Sequence, residues 1–382
     1  MATSYPDAAL PMSSGALTNF KTFKDMMRVS NLSIGATILT VAVTGCGGGG
    51  GDKSPVANNP PPPVVTNPTT PVTPTPTPPQ TPQSANLQVA VAPTYVAGSS
   101  EAVALSKLNA FRAAQGLGAL NQNANADIAS KNHAAYVTTN QSGATPHAEV
   151  AGKPGFTGVD AMDRLIAAGY PIKSATEVIA FSMQFPSPDA SAIDNLANTV
   201  YHRASMMYQG MTTVGIAPES QDSPLYVAIG LTTPQVNAGD YVGMYPANNQ
   251  TGLWLTHSVE SPNPFYQEMA MSQENMCTKT SAPVSLTSEA STTLNVTSFT
   301  VTEEGQTAPL DARLITKSTS TQDNTYLTPN VAFLVGRAPF KPNTKYNVHF
   351  VGKATGAATG SNTGLAIEKS WTFSTGVFTR GC

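Results

Sequence analysis

The chain holds 382 residues, of which only 20 are basic and 23 acidic, so charge takes 11% of positions and the formal net charge is −3. That balance leaves no basic footprint for nucleic acid, and no uninterrupted apolar run approaches the roughly 20 residues that a membrane-spanning helix requires. The length is a prior for two to three domains, and 30 glycines with 31 prolines point to sizeable linkers.

Lys21, Lys24 and Arg28 precede a charge-free stretch from Leu32 to Gly45, the pattern of a secretory signal that is too short to span a bilayer. The stretch ends Val43-Thr44-Gly45-Cys46 and resembles the lipobox of bacterial lipoproteins. The resemblance implies residues 1–45 as signal peptide, Cys46 as the lipidated first mature residue, and a membrane partner held through that anchor. With Gly47 rather than Asp after Cys46, it further implies an exported outer-membrane lipoprotein facing the periplasm or the cell surface. Residues 46–97 read as a disordered Gly/Pro-rich linker: a glycine run from Gly47 to Gly51 leads into twelve prolines between Pro55 and Pro82. A chain of that kind samples polyproline II at about 3.1 Å per residue, so some 30 residues give a stalk of about 90 Å.

From about Ser99 helical spacing begins. Ala104, Leu108 and Phe111 share one face, and Gly116 stops the helix. A second helix is predicted over 124–139 with Ile128, Ala135 and Tyr136 inward, and a third over 160–168 with Met162, Leu165 and Ile166 on one side. The longest, over 191–207, carries a stripe of Ile193, Leu196, Ala197, Val200 and Ala204. Strands are predicted at 177–183, 213–217 and 225–231. Helices mixed with antiparallel strands over residues 98–240 indicate an α+β domain.

Beyond Tyr241 the helical periodicity disappears. Leu294 and Val296, Phe299 and Val301, then Val331, Phe333 and Val335, then Tyr346, Val348 and Phe350, and finally Trp371 and Phe373 recur at every second position. Short alternating strands of this kind predict an all-β sandwich over residues 241–382. Phe340 to Phe350, followed by Trp371 to Thr375, resembles the last strands of bacterial immunoglobulin-like domains. With Cys46 consumed by lipid, Cys277 and Cys382 are expected to form a disulfide in an oxidising compartment. Closing a loop of roughly 100 residues would stabilise by up to about 4.7 kcal/mol.

The chain has no GxSxG elbow, HExxH, phosphate-binding GxxxxGK[ST] or CxxC motif. Three of its five histidines, His133, His147 and His202, fall in the α+β domain with the carboxylates Glu149 and Glu177. In extended chain the spacing of His147 and Glu149 puts both on one face. Glu177 opens an apolar strand, so a buried carboxylate there needs a partner. His202 is placed in the C-terminal half of the long helix. Imidazoles and carboxylates together could hold one divalent metal, zinc by preference, whereas His133, beside Lys131 and Asn132, reads as structural.

An ordered set of residues resembles a bacterial CAP domain, the superfamily of cysteine-rich secretory, antigen 5 and pathogenesis-related proteins, also called SCP-like. The set is Leu108-Asn109, Arg112, Gly116-Leu117, His147, Gly155 to Gly158, Asp163-Arg164, Ala167 to Tyr170, Glu177, His202-Arg203 and Val214-Gly215-Ile216. The resemblance implies a three-layer α-β-α sandwich with a cleft lined by two His and two acidic residues. Carried over by position, the cleft or metal set is His147, Glu177 and His202, with Glu149 as fourth. Where the family reads Gly-Glu-Asn, this chain has Thr176-Glu177-Val178. Three functions follow as expectations: binding of a lipid, glycan or peptide in that cleft, hydrolysis by a water that Glu177 or His202 activates, or an adhesive envelope role through the β-sandwich.

Overall fold

The structure, a computed structural model, describes residues 81–140, 146–170, 172, 174–180, 192–217, 225–231, 234–265 and 273–379. The expected signal peptide, Cys46 and the glycine and proline tether lie outside the described residues. So do Cys382 and the side chain of Cys277, and with them the expected disulfide. Residues 81–97, read from sequence as the end of the linker, run along the folded part: Asn86 and Val236 form a β-bridge, Ala119 N–H donates to the Gln88 carbonyl, and Val91 N–H donates to Asn121 Oδ1.

Helix α1 (Ser100–Ala113) starts where Ser99 Oγ accepts the Ala102 N–H, carries Glu101 in its first turn and Arg112 in its last, as the helix dipole favours, and is followed by Gly116 at φ +73°. Strand β1 (Asn121–Gln122) leads into α2 (Ala124–Asn140). Asp160 then caps α3 (Ala161–Ala167), and β2 (Ser174–Ala180) follows. After α4 (Ala192–Ala197) and α5 (Tyr201–Met206) come β3 (Thr213–Ile216) and β4 (Leu225–Leu231). The four strands form one sheet in the order β1-β3-β4-β2, with β1 parallel to β3 and the other pairs antiparallel. Period-two alternation sends Val178 and Ala180 of β2 into a cluster with α1 and α4, while Ala175 and Ile179 join α2 and α3.

Helix α2 buries Tyr136 as its sequence suggests but otherwise uses a different face. Ile128 and Ala135 are exposed, and Ala126, Ala129, Ser130, His133 and Val137 are buried. The reason is a close approach to β3. Ser130 Oγ donates to the Gly215 carbonyl at 2.9 Å, and the Ile216 N–H donates to Asp127 Oδ1 at 2.9 Å. A Cβ on Gly215 would lie 2.0 Å from the backbone of Ala126. Gly215→Ala is therefore expected to destabilise the fold by about 3 kcal/mol or more in urea unfolding. A loss below about 1 kcal/mol would mean that α2 slides on the sheet instead.

The predicted helix over 191–207 is two helices. Between α4 and α5, Asn198 Nδ2 donates to the Thr256 carbonyl at 2.7 Å, and Thr199 Oγ1 donates to the Leu196 carbonyl at 2.7 Å. The Val200 and Tyr201 amides donate to the Glu260 carboxylate, which keeps them out of an unbroken helical ladder. His202 consequently sits in the first turn of a short helix rather than late in a long one.

The C-terminal region has two four-stranded sheets. The first contains β5 (Val242–Tyr245), β7 (Val284–Ser288), β9 (Ala312–Thr316) and β10 (Val331–Gly336) in the order β5-β7-β10-β9. The second contains β6 (Gln250–Leu253), β8 (Thr293–Glu303), β11 (Lys345–Thr355) and β12 (Leu365–Thr375) in the order β6-β12-β11-β8. Two short helices, α6 (Gln273–Lys279) and α7 (Thr321–Tyr326), interrupt a region whose sequence shows no helical period. One cluster is shared by both sheets: Val284, Leu286, Ala332 and Leu334 from the first meet Phe299, Val348, Phe350, Trp371 and Phe373 from the second.

Strand β10 is buried at every position, so its two faces do separate work. Ala332 and Leu334 enter the core between the sheets, whereas Val331, Phe333 and Val335, expected to face that core, pack with Val200 and Tyr201 at the start of α5, together with Phe265, Met276, Ile315 and Leu327. Buried polar contacts cross the same boundary. Arg203 Nη1 donates to the Pro283 carbonyl at 2.8 Å, and Tyr201 donates its hydroxyl hydrogen to Asp323 at 2.7 Å. The α+β region and the β region are thus joined through a common core.

Candidate functional site

His133 on α2, His147 and Glu149 in the loop after α2, Arg164 on α3 and Glu177 on β2 converge in one cluster. His147 Nδ1 is 2.7 Å from Glu177 Oε1, and Arg164 Nη2 donates to Glu177 Oε2. His133 Nδ1 lies 2.8 Å from Glu149 Oε1, its Nε2 is 2.7 Å from the Pro146 carbonyl, and the same Nε2 stands 3.7 Å from Glu177 Oε1. Both ring nitrogens of His133 face acceptors, so satisfying both bonds takes the doubly protonated imidazolium. The two carboxylates are paired with Arg164 and His133. A buried ionic group of this composition is tolerated only when such pairing is complete.

The loop over 146–160 is shaped around Glu149. The Thr157 amide donates to Glu149 Oε2 at 2.6 Å and the Gly158 amide at 3.2 Å. A Cβ on Gly158 would come within 2.7 Å of the Arg164 nitrogen, and Gly155 adopts φ +77°, a conformation that glycine takes without strain. The Gly155 to Gly158 segment is thus a lid of backbone amides on a buried carboxylate.

Burial by itself pushes the Glu177 carboxyl up. The Arg164 guanidinium, the His147 hydrogen bond and the His133 charge overcome it and bring Glu177 down to about 2. A carboxylate so held is a poor proton acceptor. What it does instead is fix His147: a carboxylate only accepts, so Nδ1 carries the hydrogen, and in the neutral ring Nε2 keeps the lone pair. The His147 side chain is 40% exposed while that of Glu177 is 1% exposed. The cluster therefore presents one oriented imidazole at the surface on a buried ionic base.

His202 is bonded to a different carboxylate. Its Nδ1 is 2.9 Å from Glu260 Oε1, and its side chain is 14% exposed. Among the described residues it makes no hydrogen bond or ion pair with His147, Glu149 or Glu177. Glu260 is fully buried, and it also accepts the Val200, Tyr201 and His202 amides at 3.0, 2.7 and 2.9 Å. Burial would raise Glu260, but the hydrogen bond and charge of His202 lead the effects that lower it. His257 completes this second group, its Nε2 3.7 Å from Glu260 Oε2, and burial drives its pKa down to about 4.

Of the expected four, His147, Glu149 and Glu177 belong to one hydrogen-bonded cluster, and His202 pairs with Glu260. Sequence reasoning passed over four participants. Arg164 stood in a recognised motif with no role attached, His133 was read as structural, and Glu260 and His257 lie in the β region, away from the other candidates along the chain. Their only sequence signal is that of an isolated acid and imidazole in a segment poor in charge.

Neither group is arranged for zinc. Among the described residues, no three or more His, Cys, Asp or Glu side chains are placed to hold a metal ion. In the first cluster Arg164 occupies the carboxylate that a cation would use, and both nitrogens of His133 are engaged. As bonded here, neither group supplies the three or more donors that the zinc expected from sequence would take.

Residues 105–230 match the family model described as CAP: Cysteine-rich secretory protein family, so the chain carries a CAP domain over that stretch. No curated protein matches the chain. Among solved structures, an extracellular protein containing a SCP domain from Bacillus anthracis str. Ames is similar at 19% identity and a TM-score of 0.28, the match covering 34% of this chain and 39% of that one. The chain thus spans about two fifths of that protein's length.

Proposed function

We propose that this is an exported, envelope-anchored protein whose CAP domain binds a lipid, glycan or peptide ligand through its oriented imidazoles. The reading takes Cys46 as the lipidated residue of an outer-membrane lipoprotein. It takes the proline-rich segment as a stalk, the CAP domain as a three-layer α-β-α sandwich and the C-terminal sheets as an immunoglobulin-like sandwich. The observation that carries the binding function is the His147–Glu177 pair, with Nδ1 at 2.7 Å from the carboxylate and the ring 40% exposed. Held in that way, Nε2 accepts a hydrogen bond from a ligand hydroxyl or amide, which glycans, peptides and lipid headgroups all supply.

The test is native mass spectrometry of the full chain purified under mild conditions, alongside His147→Ala. A bound small molecule that is retained by the wild type and lost at least tenfold in the variant supports the reading. A ligand-free wild type whose thermal unfolding is unmoved by phospholipid vesicles, peptidoglycan fragments and peptides ends it.

The same pair favours a second reading, hydrolysis of an ester or peptide. An imidazole oriented by a carboxylate is the general-base half of such a site. Here His147 is the base, because Glu177 at about 2 does not accept a proton near neutrality. Turnover of any ester substrate that survives His147→Ala unchanged removes this mechanism.

A further inference from the structure

We propose that Glu260, which lies 30 residues beyond the end of the CAP-matched stretch at 230, is the positioning residue for His202, so that the CAP domain takes part of its site from the C-terminal region. The inference rests on the reading that imidazoles of this domain meet a ligand, and it adds a second presented imidazole supported from outside the domain.

Two acceptors meet His202 Nδ1. Glu260 Oε1 is at 2.9 Å and only accepts. Thr199 Oγ1 is at 3.4 Å, and its own hydrogen is spent on the Leu196 carbonyl at 2.7 Å, so it too is left to accept. Nδ1 therefore carries the hydrogen, and in the neutral ring Nε2, for which no partner stands among the described residues, keeps its lone pair. The carboxylate is rigid because the Val200, Tyr201 and His202 amides are also bonded to it, fixing the ring and the backbone that bears it from one group. A fully buried acceptor held by backbone amides is the arrangement that sets the tautomer and orientation of functional histidines elsewhere. Glu177, held by Arg164 instead of amides, meets His147 Nδ1 in the same way, so the molecule carries two histidine–carboxylate pairs, one internal to the CAP stretch and one shared with the β region.

The experiment is long-range proton–nitrogen NMR on the full chain labelled at histidine, at pH 7.5, combined with mass-mapped acylation by diethyl pyrocarbonate, which attacks an unprotonated ring nitrogen. In the wild type His202 is expected as the Nδ1–H tautomer. Glu260→Ala is expected to release it toward the Nε2–H form favoured by free histidine and to slow acylation of His202 about fivefold, with the His147 rate unchanged as the mark of an intact fold. Glu260→Gln keeps an acceptor oxygen and is expected to retain the Nδ1–H form. An Nε2–H tautomer in the wild type overturns the proposal, and so does an unchanged tautomer and rate in Glu260→Ala. Should Glu260→Ala fail to fold, the wild-type tautomer and Glu260→Gln still decide. No readout uses a ligand, so failure of the binding reading leaves this result standing, and the reverse also holds.

Discussion

Replacing Arg164 with methionine is expected to destabilise the protein by about 3 to 5 kcal/mol in urea unfolding at pH 7, the usual cost of stranding a buried charge. Arg164 is 1% exposed and donates to Glu177 Oε2, while its Nε lies 3.9 Å from Glu149 Oε1. Without it, two carboxylates remain in the interior against His133 and a half-exposed His147. Adding Glu177→Gln to the Arg164→Met chain is expected to recover part of the loss. Residues in one network couple by about 0.5 to 3 kcal/mol, and a coupling of at least about 1 kcal/mol is expected here. A single-variant cost under about 1 kcal/mol, or strict additivity of the two changes, would mean that the cluster is wet and weakly coupled. That result would also remove the rigid base on which His147 is presented.

Acid is expected to unfold the protein in two overlapping windows, each with the same sign. His257 is held near 4 by burial, against about 6.5 in an unfolded chain. Between those values the unfolded chain takes up a proton that the folded one refuses, so stability falls as pH drops from about 6.5 to 4, by on the order of 3 kcal/mol. Glu177 is depressed to about 2, against about 4.3 unfolded. Its contribution is complete above about 4.3 and is lost as pH falls toward 2, again on the order of 3 kcal/mol. Unfolding free energies measured from pH 7 to 3 check both. His257→Asn is expected to flatten the upper window and Glu177→Gln the lower. A profile for His257→Asn that runs parallel to the wild type between pH 6.5 and 4.5 would show that His257 is hydrated in solution.

The shared core changes how an adhesive role for the β region can be tested. Deleting everything after Tyr241 removes Phe333, Val335 and Ile315 from around α5 and takes Glu260 from its amides. Such a truncation damages the CAP domain as well and therefore separates nothing. Point changes on the exposed strand positions of β8 and β12, set against His147→Ala, address the question without disturbing α5.

Local chemistry was legible from sequence. The start of helical spacing near Ser99, the stop at Gly116, the strand from Thr213 and the alternating strands from Thr293 onward all follow from side-chain preference and period, which act over a few residues. The need of Glu177 for a partner was also legible, because a carboxylate in an apolar strand has few alternatives. Four things belonged to the tertiary structure alone. The face of α2 was chosen by Gly215, whose lack of a Cβ lets the helix seat on Ala126 and Ser130. The helix over 191–207 was broken by Glu260, an acceptor some 60 positions away that takes the Val200 and Tyr201 amides from the helical ladder, while the Thr256 carbonyl holds the side chain of Asn198. Both faces of β10 were claimed because a second layer happened to be there to cover the outer one. And the pairing of each histidine with its carboxylate was set by which buried charges came into range on folding, since periodicity reports which way a side chain points and carries no information about what it will meet.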